Sequence, residues 1–118
     1  MRIVFDYKYP SLNEYINACR AHWSRGAKMK RTCDEATVLM IRMQRVKPIA
    51  EPVRLKFVWH ERTARRDWDN IRFAAKFILD GLVKAGVLPD DGQKWVRGIT
   101  DSIMVDGKQF VEVEYEYV

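Results

Sequence analysis

Two acidic groups have the residue types and spacing for chemistry: Asp67 and Asp69 within Asp67-Trp68-Asp69-Asn70, and the Asp90-Asp91 pair that follows Pro89. If Asp67 and Asp69 lie in extended chain, their side chains point one way and Trp68 the other. Two carboxylates so placed repel unless a cation lies between them. Hard oxygen donors of this kind suit Mg²⁺ or Mn²⁺, which bind through one or two protein carboxylates and keep several waters. Each group also has a plain structural use. Asp69 or Asn70 can cap a helix, and Asp90-Asp91 before Gly92 has turn composition. Lys76 is testable by distance: on a helix it lies about 10 Å beyond Asp69 at a rise of ~1.5 Å per residue. Helical side chains lean toward the N-terminus, so its ammonium is expected to approach the carboxylates. Asp80 is expected to pair instead with Lys76 or Lys84 on the helix surface.

These residues need elements to hold them, and the apolar pattern supplies an order. Residues 2–7 alternate as an opening strand. Ser11-Leu12-Asn13-Glu14 has capping-box spacing, and Leu12, Tyr15, Ile16, Cys19 and Trp23 follow at helical intervals. Gly26 is expected to interrupt that helix. A second helical stripe, Met29, Cys33, Ala36, Met40 and Met43, reads as core and ends near Lys47-Pro48. From Val53 the period becomes two: Val53, Leu55, Phe57 and Trp59 on one face, Arg54, Lys56 and His60 on the other. His60 on the polar side reads as a bystander. One helix is expected from about Asn70 to Ala85, roughly 24 Å long, with Gly86 beyond its end where a C-cap belongs. Strands are expected at about 95–105 and 109–118. The order β-α-α-β-α-β-β predicts one α+β domain over residues 1–118, with a mixed or antiparallel sheet backed by helices.

At 118 residues and 47% hydrophobic content, the chain can bury one core and is not of disordered composition. No apolar run approaches the ~20 residues of a membrane span, and the N-terminus lacks a signal-peptide core. Cys19 and Cys33 match no metal or redox spacing and read as reduced, buried thiols of a cytoplasmic protein. The net charge of +5 is concentrated: residues 18–47 hold eight Lys/Arg against two acids. A polyanion fits that asymmetry, since cations at phosphates release counterions and give sequence-independent affinity. A solvated helix face is the alternative.

The combination Arg66-Asp67-Trp68-Asp69-Asn70, Lys76-x-x-x-Asp80-Gly81-Leu82 and Ala85-Gly86-Val87-Leu88-Pro89-Asp90-Asp91-x-Gln93 resembles the RusA family of Holliday-junction resolvases, common in phages and prophages. A weaker likeness extends to Pro10-Ser11-Leu12-Asn13-Glu14-Tyr15 and the β-rich C-terminal part. The resemblance implies a Mg²⁺-dependent crossover junction endonuclease of recombination and repair, acting as a homodimer that makes two symmetric nicks with 5′-phosphate ends. It implies that Asp67, Asp69 and Asp91 are the catalytic acids and metal ligands, with Asp90 alongside and a lysine assisting. The chain departs from the pattern at that lysine: Phe73 stands at its usual place, and Lys76 follows Asn70 by six residues, so Arg72 is a substitute. Arg20, Arg25, Lys28, Lys30, Arg31, Arg65, Arg66 and Arg72 are the expected DNA contacts. A non-catalytic branched-DNA-binding protein and a nuclease preferring other branched DNA are the alternatives. Aspartyl-phosphate chemistry is disfavoured by Asn70 and Ile71 after the D-x-D.

Overall fold

The computed structural model describes residues 2–118. Its elements are β1 (Arg2–Phe5), α1 (Leu12–Ala21), α2 (Trp23–Met43), β2 (Val53–Glu61), α3 (Trp68–Arg72), α4 (Ala75–Lys84), β3 (Val96–Val105) and β4 (Phe110–Tyr117). The strands form one mixed sheet in the order β1-β4-β2-β3. β4 runs antiparallel to both β1 and β2, and β2 and β3 are parallel. A parallel pair needs a long crossover, and α3 and α4 supply it. The α+β expectation holds, with one helix more than the sequence pattern suggested.

Alternation in the strands makes the two layers. Ile3, Phe5, Leu55, Phe57, Trp59, Val111 and Val113 are buried on the helix-bearing face, while Arg54, Lys56 and Glu114 stand exposed on the other. Burying each large apolar side chain stabilises by roughly 1.5–3 kcal/mol. Phe57 and Trp59 stack at 5.3 Å between ring centroids. The helical layer closes where α2 crosses α4 at Gly81. A Cβ at Gly81 would collide with the side chain of Thr37. Thr37 cannot move aside easily, because its hydroxyl donates to the Cys33 carbonyl (2.7 Å) and accepts from the Tyr9 hydroxyl (2.6 Å).

Helix boundaries follow local chemistry, and several differ from the periodicity. The capping box at Ser11 forms in full, with Ser11 Oγ accepting from Glu14 N and Glu14 Oε1 from Ser11 N. Gly26 does not interrupt the helix. It lies inside α2, packed against Cys19 of α1, and the break falls at His22, whose extended backbone ends one helix and caps the next. The turn therefore comes four residues before the close approach that requires glycine. α2 stops at Met43, with Arg45 in the left-handed region at φ 53°. Gly86 sits just past α4 at φ 77°, as its expected role demands. Three side chains expected in the core, Cys19, Trp23 and Met43, are exposed.

The helix expected over 70–85 is two helices. Phe73 and Ala74 join α3 to α4, and Lys76 N bonds the Phe73 carbonyl three residues back rather than four. No proline or glycine forces the break. Ile71 and Phe77 lie six positions apart, about 120° around a straight helix, yet both are buried. Bending between them lets both reach the core. Phe73 at the bend packs against Phe77 edge-on (5.4 Å) and against Tyr15 of α1 (5.2 Å).

Candidate functional site

Asp67 is the N-cap of α3. Its Oδ1 accepts from Asn70 N (3.0 Å) and Asn70 Nδ2 (2.9 Å), and its backbone alone is extended. Trp68 and Asp69 are already helical, so the two acids do not share a face by strand alternation as expected. They occupy the first turn of one short helix instead, where the positive end of the peptide dipoles favours carboxylates. Both are exposed; Asp67 keeps Oδ2 unbonded, and Asp69 has no side-chain partner among the described residues. Asn70 fixes this turn to α1 by accepting from Asn13 N at 3.0 Å. Trp68 between the acids is also half-exposed.

Asp90 and Asp91 lie elsewhere. Asp90 Oδ2 accepts from Gly92 N (3.2 Å), holding the turn, and Asp91 is exposed without a partner among the described residues. That turn belongs to the start of the parallel pair: Trp95 O accepts from Val53 N, and Val87 O from Ile49 N. The segment carrying Asp67 follows Glu61, at the other end of β2. Eight strand steps separate Val53 from Glu61, roughly 27 Å at ~3.3 Å each. The Asp67–Asp69 pair and the Asp90–Asp91 pair are thus carried by segments joined to opposite ends of β2. Among the described residues no group of three or more His, Cys, Asp or Glu is placed to hold a metal ion.

Lys76 does not reach back toward the acids. It begins α4, past the bend, and its Nζ is 3.8 Å from Asp80 Oδ2, one turn in the opposite direction. Asp80 also meets Lys30 (3.6 Å), and Lys30 bonds Asp34 (2.9 Å), which takes Lys84 as well (2.7 Å). This chain of charges ties α2 to α4. Burial pushes the Asp34 carboxyl up, but the hydrogen bonds from Lys30 and Lys84 outweigh it and hold the group below its ordinary range. Lys30 is raised chiefly by its bond to Asp34. Of the two partners the sequence offered Asp80, Lys76 is the one it takes, and Lys84 pairs with Asp34 instead.

Arg72 was the other candidate for the missing lysine, and it is held by a residue that sequence reasoning missed. Its Nε donates to Asp101 Oδ2 on β3 (2.8 Å), and the indole of buried Trp59 donates to Asp101 Oδ1 (2.8 Å). The signal was present: Asp101 sits between Ile99 and Ile103, an acid in the apolar register of a strand. Arg66 likewise turns inward and grips buried Glu61 through Nε (2.9 Å) and a terminal nitrogen (2.8 Å). His60 is buried rather than on an open polar face. It stacks on Phe110 at 3.9 Å and bonds Asp106 at 2.6 Å, a contact that holds the Asp106 carboxyl below its ordinary range.

The expected DNA contacts thus divide. Lys30, Arg66 and Arg72 are engaged with acids, whereas Arg20, Arg25, Lys28, Arg31 and Arg65 are exposed and form no ion pair among the described residues. Arg25 and Lys28 face a groove against the Tyr7–Pro10 segment, and Arg31 lines a separate hollow with Glu35 and Leu39. Both cysteines are free thiols, Cys33 buried and Cys19 exposed. No helix is long and apolar enough to cross a membrane. No protein-family model matches the chain, and no curated protein matches it either.

Proposed function

We propose that this chain is a Mg²⁺-dependent, structure-selective endodeoxyribonuclease of the RusA type that nicks four-way DNA junctions. The observation that carries the reading is the first turn of α3: two exposed carboxylates, one pinned through Oδ1 with Oδ2 open and one without a partner, two residues beyond the cation Arg65. The donor set fits Mg²⁺, because that ion takes one or two protein carboxylates and fills its remaining positions with water and phosphate oxygens. Asp67 and Asp69 are the residues to hold it. When bound, the ion supplies a water of lowered pKa and stabilises charge at the phosphate.

The chain's own residues do the rest. Asn70 fixes the Asp67 carboxylate by two hydrogen bonds, so its orientation costs little to set when DNA arrives. Exposed Arg65 beside the turn, with Arg20, Arg25, Lys28 and Arg31, offers charge to backbone phosphates, which orients a junction without reading bases. Lys76 serves α4 through Asp80 and has no part near the acids in this arrangement. Asp91 belongs to the site through a homodimer. The turn that carries it adjoins the end of β2 opposite the segment that carries Asp67, and this reading assigns it to the acids of a second copy. Two-fold pairing also provides the two sites that symmetric nicking requires.

A non-catalytic branched-DNA-binding protein is the second reading, favoured by the capping role of Asp67 and the turn-holding role of Asp90. One experiment decides between them. A labelled synthetic four-way junction is incubated with the protein in Mg²⁺ and in EDTA, beside Asp69→Asn. Symmetric nicks lost in EDTA and reduced at least a hundredfold in the variant, with junction binding retained, are expected. Binding without cleavage in Mg²⁺ or Mn²⁺ establishes the second reading instead.

A further inference from the structure

We propose that the groove between the Tyr7–Pro10 segment and α2 binds an unpaired DNA strand. The proposal deepens the nuclease reading by naming the form of DNA held beside the acids, and relies on it for the choice of DNA among polyanions. The groove encloses about 490 Å³, within the range of sites that hold small organic groups. Lys8, Arg25 and Lys28 line it, all exposed and none in an ion pair among the described residues. Arg2, Lys30, Arg66, Arg72 and Lys84 meet carboxylates, whereas these three, like Arg20, Arg31 and Arg65, do not. Glu14, the one acid lining the groove, is committed to the capping box of α1. Against the single charge of Glu14, the three cations still leave the lining of this concavity net positive.

The floor of the groove selects the ligand further. Tyr7, Pro10 and Met29 give it an apolar surface, and the Tyr7 ring is fixed edge-on against buried Tyr9 at 4.9 Å. A duplex turns its phosphates outward and hides its base faces, so it has no use for such a floor. An unpaired strand presents both, and a fixed aromatic ring flanked by cations is the usual arrangement for holding one. The groove also has a direction. Pro10 leads into α1, whose Asn13 N donates to Asn70 in the turn that carries Asp67 and Asp69. A strand in the groove is thus led toward the two acids, as a strand peeled from a junction branch point needs to be.

The test is binding in EDTA, where no cleavage occurs, so it stands apart from the nuclease assay. Fluorescence anisotropy is measured across a salt series with a labelled single-stranded oligothymidylate and with a duplex of equal length. Lys8→Ala and Lys28→Ala should each flatten the single-strand salt slope by about 0.7. Tyr7→Leu should weaken binding about tenfold at constant slope, and Tyr7→Phe should leave it intact. Arg42→Ala, near the other end of α2 and lining a separate hollow, serves as the control and should change nothing. If Tyr7→Leu fails to fold, the two lysine variants and Tyr7→Phe still decide. Unchanged slopes in both lysine variants, or equal losses for duplex and single strand, overturn the proposal. Absent cleavage with these slopes intact would sink the nuclease reading alone.

Discussion

Asp34 is the residue on which the helical layer turns. It is buried, carries one carboxylate oxygen without a partner, and shares the other between Lys30 and Lys84. Its folded pKa lies below the ordinary value, so its contribution is present above pH ~4 and is lost as pH falls through the lowered folded value. Because both lysines are partly exposed, the pair contributes no more than about 1–2 kcal/mol. Asp34→Asn should lower the unfolding free energy read from urea denaturation by that amount at pH 7 and by less at pH 3. A deficit equal at the two pH values would remove charge from the explanation. The same network accounts for what the sequence concealed about Lys76. Spacing alone placed its ammonium near Asp69, but spacing carries no information about Asp80 and Lys30 as competing partners. Asp67 was legible as a D-x-D acid, whereas its capping role depended on where the helix began.

Among the elements, strands were easier to read than helix ends. β2, β3 and β4 fall within a residue or so of their expected spans, because period-two burial is a local pattern. The α3–α4 bend was invisible to periodicity, which sees one apolar stripe and not the second demand made by Phe77. The bend lies among the residues that lengthen the spacing from Asn70 to Lys76, so the extra length is taken up as a change of direction. Gly26 was misread for a related reason: a glycine can mark a turn or a close helix contact, and only the position of α1 distinguishes them. Gly81 makes a similar contact with Thr37. Ala is the better helix former by about 1 kcal/mol, yet Gly81→Ala should lower Tm by several degrees, corresponding to about 1–3 kcal/mol of overpacking. Combined with Thr37→Ser, which removes the clashing methyl, most of that loss should return. A raised Tm in Gly81→Ala alone would show the crossing to be looser than described.

At the scale of the whole molecule, the acids that the sequence motif unites ride on segments joined to opposite ends of β2. Asp67 and Asp69 belong to the segment that leaves β2 after Glu61, and Asp91 to the turn that leads into β3 beside Val53. Sequence likeness lists residues along a chain and cannot say which copy of the chain supplies each. Subunit mixing tests the homodimeric site directly. Asp69→Asn and Asp91→Asn should each be inactive on a junction, and exchange of subunits between them should restore one of the two sites in each mixed dimer, up to half the nicking of the unmutated homodimer. No recovery after verified exchange would place all three acids in a single subunit or outside the chemistry.

β4 occupies the middle of the sheet between β1 and β2, although it is the last of the four strands in the chain. During synthesis, β1 must wait unpaired while more than a hundred residues emerge, and β2 has only β3 beside it until then. Both β1 and the inner edge of β2 present open backbone groups throughout that interval, a condition that slows folding and invites pairing with other nascent chains. Insertion of Phe110–Tyr117 closes both edges in one step. β4 thus acts as a keystone, and its arrival between β1 and β2 sets the moment at which the fold, and any site built upon it, comes into being.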